Sequence, residues 1–225
     1  MDSLESLKLD LLSEMKVEQL FQKHIIDGSS YYFRDHLGEH NQEYELRHDL
    51  SDQLGLSIND IVIVGSAKLG FSVKNEKFLK FDAKFSDTNL KKDHSDIDVA
   101  IVNRRLFDTQ AATIYEISRH FEGSWINDNW KSNYFYRDKN ALQRSGVKSL
   151  FTSYTKNIAR GWLRLDYAPN IYINSAPWKE IVKIWQERLE RKVTIAIYSE
   201  WHYLKHYQMD NLLNLRRKIK ALEIK

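Results

Sequence analysis

Ser95-Asp96-Ile97-Asp98-Val99-Ala100-Ile101-Val102 is the stretch that decides how this chain is read. Side chains alternate faces along a strand, so Asp96 and Asp98 share one face while Ile97, Val99 and Ile101 share the other. The apolar tail reads as a buried strand with two carboxylates at its mouth. Neighbouring carboxylates repel each other, and a divalent cation relieves that repulsion.

Upstream, Ile61-Val62-Ile63-Val64 is a second apolar run, and it stops at Gly65-Ser66. A Gly-Ser turn after a strand presents backbone N–H groups and a hydroxyl, both of which suit phosphate oxygens. The two glycines of Gly65-Ser66-Ala67-Lys68-Leu69-Gly70-Phe71-Ser72 have the separation of a Walker loop. Phe71, however, stands where that loop requires lysine, and Ser66 lacks the context of a hydrolase nucleophile. Lys68 is placed by its position in the turn to meet either phosphate or solvent. Ser95 precedes the first aspartate and caps or orients the turn.

An apolar strand ending in Gly-Ser, followed by a strand carrying Asp-x-Asp, resembles the nucleotidyltransferase superfamily typified by DNA polymerase beta. The matching residues are Gly65, Ser66, Asp96 and Asp98, and the likeness covers positions 60–120. The resemblance implies an α+β fold with a mixed sheet flanked by helices. It also implies transfer of a nucleoside monophosphate from an NTP, ATP first among them, to a protein, RNA or small-molecule acceptor. Two Mg²⁺ ions, replaceable by Mn²⁺, would be held by Asp96, Asp98 and a third carboxylate on a later strand. On the same resemblance Ser95 would contact the nucleotide. Asp166, in Leu165-Asp166-Tyr167, is the first candidate for that third ligand and Glu200 the second. The insertion between Gly65 and Asp96 is longer than in small members of the superfamily.

The surrounding sequence predicts a helical frame. Leu4, Leu7, Leu11, Met15, Leu20 and Phe21 recur at helical spacing and predict one helix to Ile26, with Asp2 and Glu5 as a capping box. Leu46, Leu50 and Leu54, closed by Gly55, predict a second helix. Lys74 to His94 reads as a long loop or small hairpin over the site. Phe107 to Phe121 predicts a helix ended by Gly123, and Trp178 to Leu189 another, begun near Pro177. Val193 to Tyr198 is a further strand. Ser199 is placed to cap a last helix, whose apolar stripe is broken only at Gln208. The aromatic stretch from Trp125 to Tyr172, which includes Tyr134, Phe135 and Tyr136, has no clean period and reads chiefly as core.

No linker or repeat divides the 225 residues, so a single domain is expected: N-terminal helices over 1–58, a core over 59–200 and a C-terminal helix over 201–225. A formal charge of +3 suits a phosphate-bearing substrate without being a nucleic-acid footprint. The absence of cysteine excludes disulfides and thiolate chemistry. Apolar runs fall far short of the ~20 residues that cross a bilayer, and no secretory pattern opens the chain, so a cytoplasmic protein without a membrane anchor is expected. Two other functions fit the same residues: a catalytically inactive nucleotide-binding regulatory subunit, and a nucleic-acid-binding module using the basic last helix.

Overall fold

In the computed structural model, which describes residues 3–72, 79–82, 94–130 and 150–223, the chain begins with helices α1 (Ser3–Leu12) and α2 (Val17–Phe21). The single helix expected to Ile26 is thus broken. Ser13 donates its hydroxyl to the Asp10 carbonyl and accepts from Met15 N–H, a local exchange that competes with the helical ladder. The Gln19 side chain then accepts from Lys16 N–H at 3.1 Å and starts α2. A π-helical turn, Gln22–Asp27, leads to Gly28. Asp2 lies outside the described residues.

After α3 (His40–Leu54), which ends at Gly55 in the left-handed region as expected, comes strand β1 (Ile61–Val64) and the short helix α4 (Gly65–Leu69). Strands β2 (Phe71–Ser72) and β3 (Leu79–Lys80) pair antiparallel, the hairpin alternative for part of the long insertion; 73–78 and 83–93 lie outside the described residues. Strand β4 (Ile97–Val102) is followed by α5 (Arg104–Ile117), capped by Asn103, whose side chain accepts from Leu106 N–H. This helix stops before Gly123, because Arg119, His120 and Phe121 all adopt positive φ. Gly123 instead starts α6 (Gly123–Asn129).

The aromatic stretch, whose Tyr134, Phe135 and Tyr136 lie outside the described residues, resolves into α7 (Leu150–Ala159), strand β5 (Trp162–Arg164), a 3₁₀ turn over Leu165–Tyr167 and α8 (Asn170–Ser175). Then come α9 (Lys179–Leu189), strand β6 (Val193–Tyr198) and the long α10 (Trp201–Glu223). Ser199 does not cap α10: its hydroxyl donates to the Gly161 carbonyl at 3.0 Å, tying the end of β6 to the start of β5.

The main sheet is mixed, in the order β1-β4-β6-β5. Strand β4 is antiparallel to β1 and parallel to β6, and β5 is antiparallel to β6. The register sets Val64, Asp98 and Thr194 in one row across three strands, with Arg164 beside Ala196 in the next strand. One face of the sheet carries Ile61, Ile63, Ile97, Val99, Ile101, Ile195 and Ile197 into a core shared with α3, α5, α7 and α9. The other face carries Val62, Val64, Ala100 and Val102 into a second core under α1, α2 and α10. The architecture is therefore α+β, a small mixed sheet between helical layers. Among the described residues no helix is long and apolar enough to cross a membrane.

Candidate functional site

Strand β4 supplies Asp98 at the end of the sheet that faces α10, and the strand turn supplies Gly65 beside it. A Cβ at Gly65 would lie 2.6 Å from Asp98 Oδ2, so the carboxylate occupies the space that the missing side chain leaves. Gly65 also has φ +71°, a conformation glycine adopts without strain. Both properties require glycine here, one for the turn and one for the carboxylate. The two halves of the motif, far apart in sequence, are in contact.

Asp98 is held from its other side. Thr194 Oγ1, its register partner on β6, donates to Asp98 Oδ1 at 2.6 Å. Asp96, half-buried, faces Lys192, whose Nζ is 3.8 Å from Asp96 Oδ2. Burial pushes the Asp96 carboxyl above the usual aspartate range; Lys192 and Arg164 oppose that shift, and Asp98 and Asp166 add to it. A group so raised gains from a cation, which would replace the missing hydration of its charged form.

Asp166 follows β5 in the 3₁₀ turn and lies within electrostatic reach of Asp96. Its Oδ1 accepts from Arg164 Nε at 2.7 Å. Burial opposes the Arg164 charge, but the Asp166 hydrogen bond and charge outweigh it and raise the guanidinium pKa. Asp166 is thus near the aspartate pair but committed to arginine. Glu200, the second candidate, stands beyond the opposite end of β6, is exposed, and pairs with Arg104 at 3.5 Å. Because β6 runs parallel to β4, that position is separated from Asp96 by the length of the strand. Among the described residues, no three His, Asp or Glu side chains gather closely enough to hold a metal ion.

Ser66 follows Gly65 at the start of α4, and its hydroxyl has no partner among the described residues. Ser95 is occupied in orienting the approach to Asp96. Its N–H donates to Asp82 Oδ1 at 2.8 Å, and its Oγ accepts from Asp82 N–H at 3.3 Å. Arg191 closes this unit with two bonds to Asp82, of 3.0 and 2.7 Å, while its guanidinium lies over the rings of Tyr32 and Phe81. Lys68 corrects the expectation of a phosphate-facing or solvated lysine. Its side chain is buried, hydrogen-bonded to the Gly28 carbonyl and 3.8 Å from Glu43, because the single turn of α4 rotates it away from Gly65.

Several contributors escaped the sequence reading. A narrow cleft of about 60 Å³ over Asp98 is walled by Gly65, Trp162, Arg164, Thr194, Gln208 and Asn211. The Trp162 ring stacks on Tyr198 at 5.6 Å and 10°, and Tyr207 leans on it at 5.6 Å. The Gln208 amide, 2% exposed, has no hydrogen-bond partner among the described residues. A larger cavity of about 540 Å³ shares Thr194 and Ile195 with the cleft and has Leu165, Tyr167, Trp178 and Val182 as apolar wall, with Asp166, Lys179, Lys183 and Lys192 as its charged groups. The sequence did carry signals for some of these residues. Gln208 interrupts an apolar stripe, and Thr194 is the one aliphatic hydroxyl in an apolar strand. Comparison of the chain with protein-family models, with curated proteins and with solved structures finds no match.

Proposed function

We propose that this chain is a Mg²⁺-dependent nucleotidyltransferase of the polymerase-beta-like kind, acting on an NTP, with ATP first among them, and transferring its nucleoside monophosphate to a hydroxyl of a protein, an RNA or a small molecule. The observation that carries the reading is the contact of Asp98 with Gly65, which joins the strand turn to one of the two carboxylates. Asp96 and Asp98 fit a divalent cation as donors and would hold it, and the cation would supply positive charge against the developing negative charge of the phosphate. Thr194 fixes the rotamer of Asp98. Arg164 and Lys192, with Lys179 and Lys183 on the neighbouring cavity, supply positive charge for a triphosphate, and the apolar wall of that cavity suits a nucleoside. In the transfer, the acceptor oxygen bonds to the α-phosphorus, the bond to the bridging oxygen breaks, and pyrophosphate leaves. The acceptor's proton passes to Asp166, which must first part from Arg164; a triphosphate drawing that guanidinium away frees it.

Incubation with labelled NTPs and cell extract, with Asp96→Ala/Asp98→Ala as control, tests the proposal. Mg²⁺-dependent pyrophosphate release that the double variant lacks is expected, and equal turnover by both proteins would sink it. The Arg164–Asp166 pair favours one rival, a nucleotide-binding regulatory subunit in which the third carboxylate stays engaged. Such a protein binds NTP but labels no acceptor. The nucleic-acid module has less support, since Arg216 of the basic helix turns inward to the carbonyls of Leu11 and Met15.

A further inference from the structure

At the other end of α4 from Gly65 lies a cavity of about 240 Å³ that shares no lining residue with the cleft over Asp98. Its polar walls are Lys23, His24, Arg34, Lys68, Ser6 and Ser29, and no carboxylate lines it among the described residues. The acids that balance these groups are not among its lining residues. Asp10 is bonded to Lys23 at 2.6 Å and to His24 at 2.7 Å, Asp35 to Arg34 at 3.0 Å, and Glu43 is 3.8 Å from Lys68 while also accepting from Ser30 N–H and Oγ. Four basic side chains thus line one cavity, each held in place by an acid. Such an arrangement preorganises donors for an anion and spares the ligand the cost of ordering them.

Lys68 is the centre of the arrangement. Its side chain is 3% exposed, and burial pulls its ammonium pKa down despite the attraction of Glu43 and Asp27, with Arg47 and Arg34 adding to the fall. Burial likewise lowers His24, which feels Lys23 and Lys68 as like charges and Asp10 as an opposing partner. An anion in the cavity would offset first the burial of these groups and then their repulsion. The volume falls below the ~300–1,000 Å³ typical of drug-sized ligands, which points to a small, highly charged species. We propose that this cavity is a binding site for a small polyphosphate anion of the diphosphate class, held by Lys23, Arg34 and Lys68 with help from His24 and the hydroxyls of Ser6 and Ser29. The site does not depend on the nucleotidyltransferase reading. Because Lys68 and Gly65 belong to one helical turn, an occupied cavity also braces the turn that carries Gly65 against Asp98.

Calorimetric titration of the full chain with inorganic diphosphate, in buffer containing chelator so that no divalent cation takes part, tests the proposal. One-to-one binding that weakens with added salt is expected. Arg34→Gln and Lys23→Gln, at the partly exposed rim, each should weaken it at least about tenfold, as loss of a charge-assisted hydrogen bond does. Asp96→Ala/Asp98→Ala should leave it unchanged. Lys68→Met should abolish it, and the two rim variants keep the test decisive if that buried change prevents folding. No binding at millimolar diphosphate, equal affinity in the rim variants, loss of binding in the aspartate double variant, or sulfate binding as tightly as diphosphate each overturns the proposal.

Discussion

Replacing Gly65 by alanine measures the contact on which the site rests. Two costs are separable. The first is backbone: φ of +71° holds an alanine in the left-handed region, at about 1 kcal/mol. The second is steric: the new Cβ, 2.6 Å from Asp98 Oδ2, forces the carboxylate to swing, and with it goes the 2.6 Å hydrogen bond from Thr194, worth about 1.5–3 kcal/mol for a charged acceptor. Gly65→Ala should therefore cost about 2–4 kcal/mol. Gly55→Ala is the matched control, since φ is +63° there and a Cβ would meet nothing within 4 Å; it should cost about 1 kcal/mol. For a chain of this size these losses lower Tm by about 4–16 °C and about 2–4 °C respectively. Urea denaturation of both variants, repeated for Gly65→Ala in an Asp98→Ala background, closes a double-mutant cycle. With the carboxylate gone, the Gly65→Ala cost should fall to the level of Gly55→Ala. An excess that persists without Asp98, or a Gly65→Ala cost no greater than that of the control, refutes the contact.

Asp96→Asn should stabilise the protein in chelator at neutral pH, because burial raises the native pKa above that of the unfolded chain and stability then falls as pH rises through the raised value. Melting curves with chelator and with Mg²⁺ check this, and a variant less stable than the parent in chelator contradicts it. For Asp82, burial is outweighed by the bonds from Arg191 and Ser95, so its pKa is lowered. Its contribution is complete above the ordinary aspartate value of about 4 and is lost as pH falls through the depressed one. Asp82→Asn should cost about 2–3 kcal/mol at neutral pH by leaving Arg191 with half a partner, and should flatten the acid limb of stability; parallel acid loss in both proteins would argue against the clamp. Gln208→Leu removes a buried amide that has no partner among the described residues and should change stability by less than about 1 kcal/mol while weakening any ligand of the cleft. A large loss of stability would show that the amide is structural.

What could be read from the sequence depended on whether the governing interaction was local. The strands at 61–64, 97–102 and 193–198 were legible because unbroken apolar runs have one economical fate, burial in a sheet. The end of α3 was legible because Gly55 is a local stop. The break after α1 was not, since the apolar spacing continues through it while a single hydroxyl, Ser13, diverts the backbone. Within the site, strand periodicity predicts a shared face for Asp96 and Asp98, yet β4 begins at Ile97 and leaves Asp96 just before it, and the state of Asp166 depends on Arg164, two residues back at the end of a strand only three residues long.

Lys68 shows the same limit more sharply. One turn of α4 separates it from Gly65, and whether a lysine there meets phosphate or interior is decided by the Gly28 carbonyl and Glu43, forty and twenty-five positions distant. A buried lysine is retained against its desolvation cost only where its charge has employment. One carbonyl and a carboxylate at 3.8 Å, itself shared with Ser30, supply part of that compensation, and the wall of basic groups around the adjoining cavity works against it. An anion completes the set. By this reasoning the lysine expected to meet either phosphate or solvent beside the aspartate site belongs to a phosphate site of its own, back to back with it across a single helical turn.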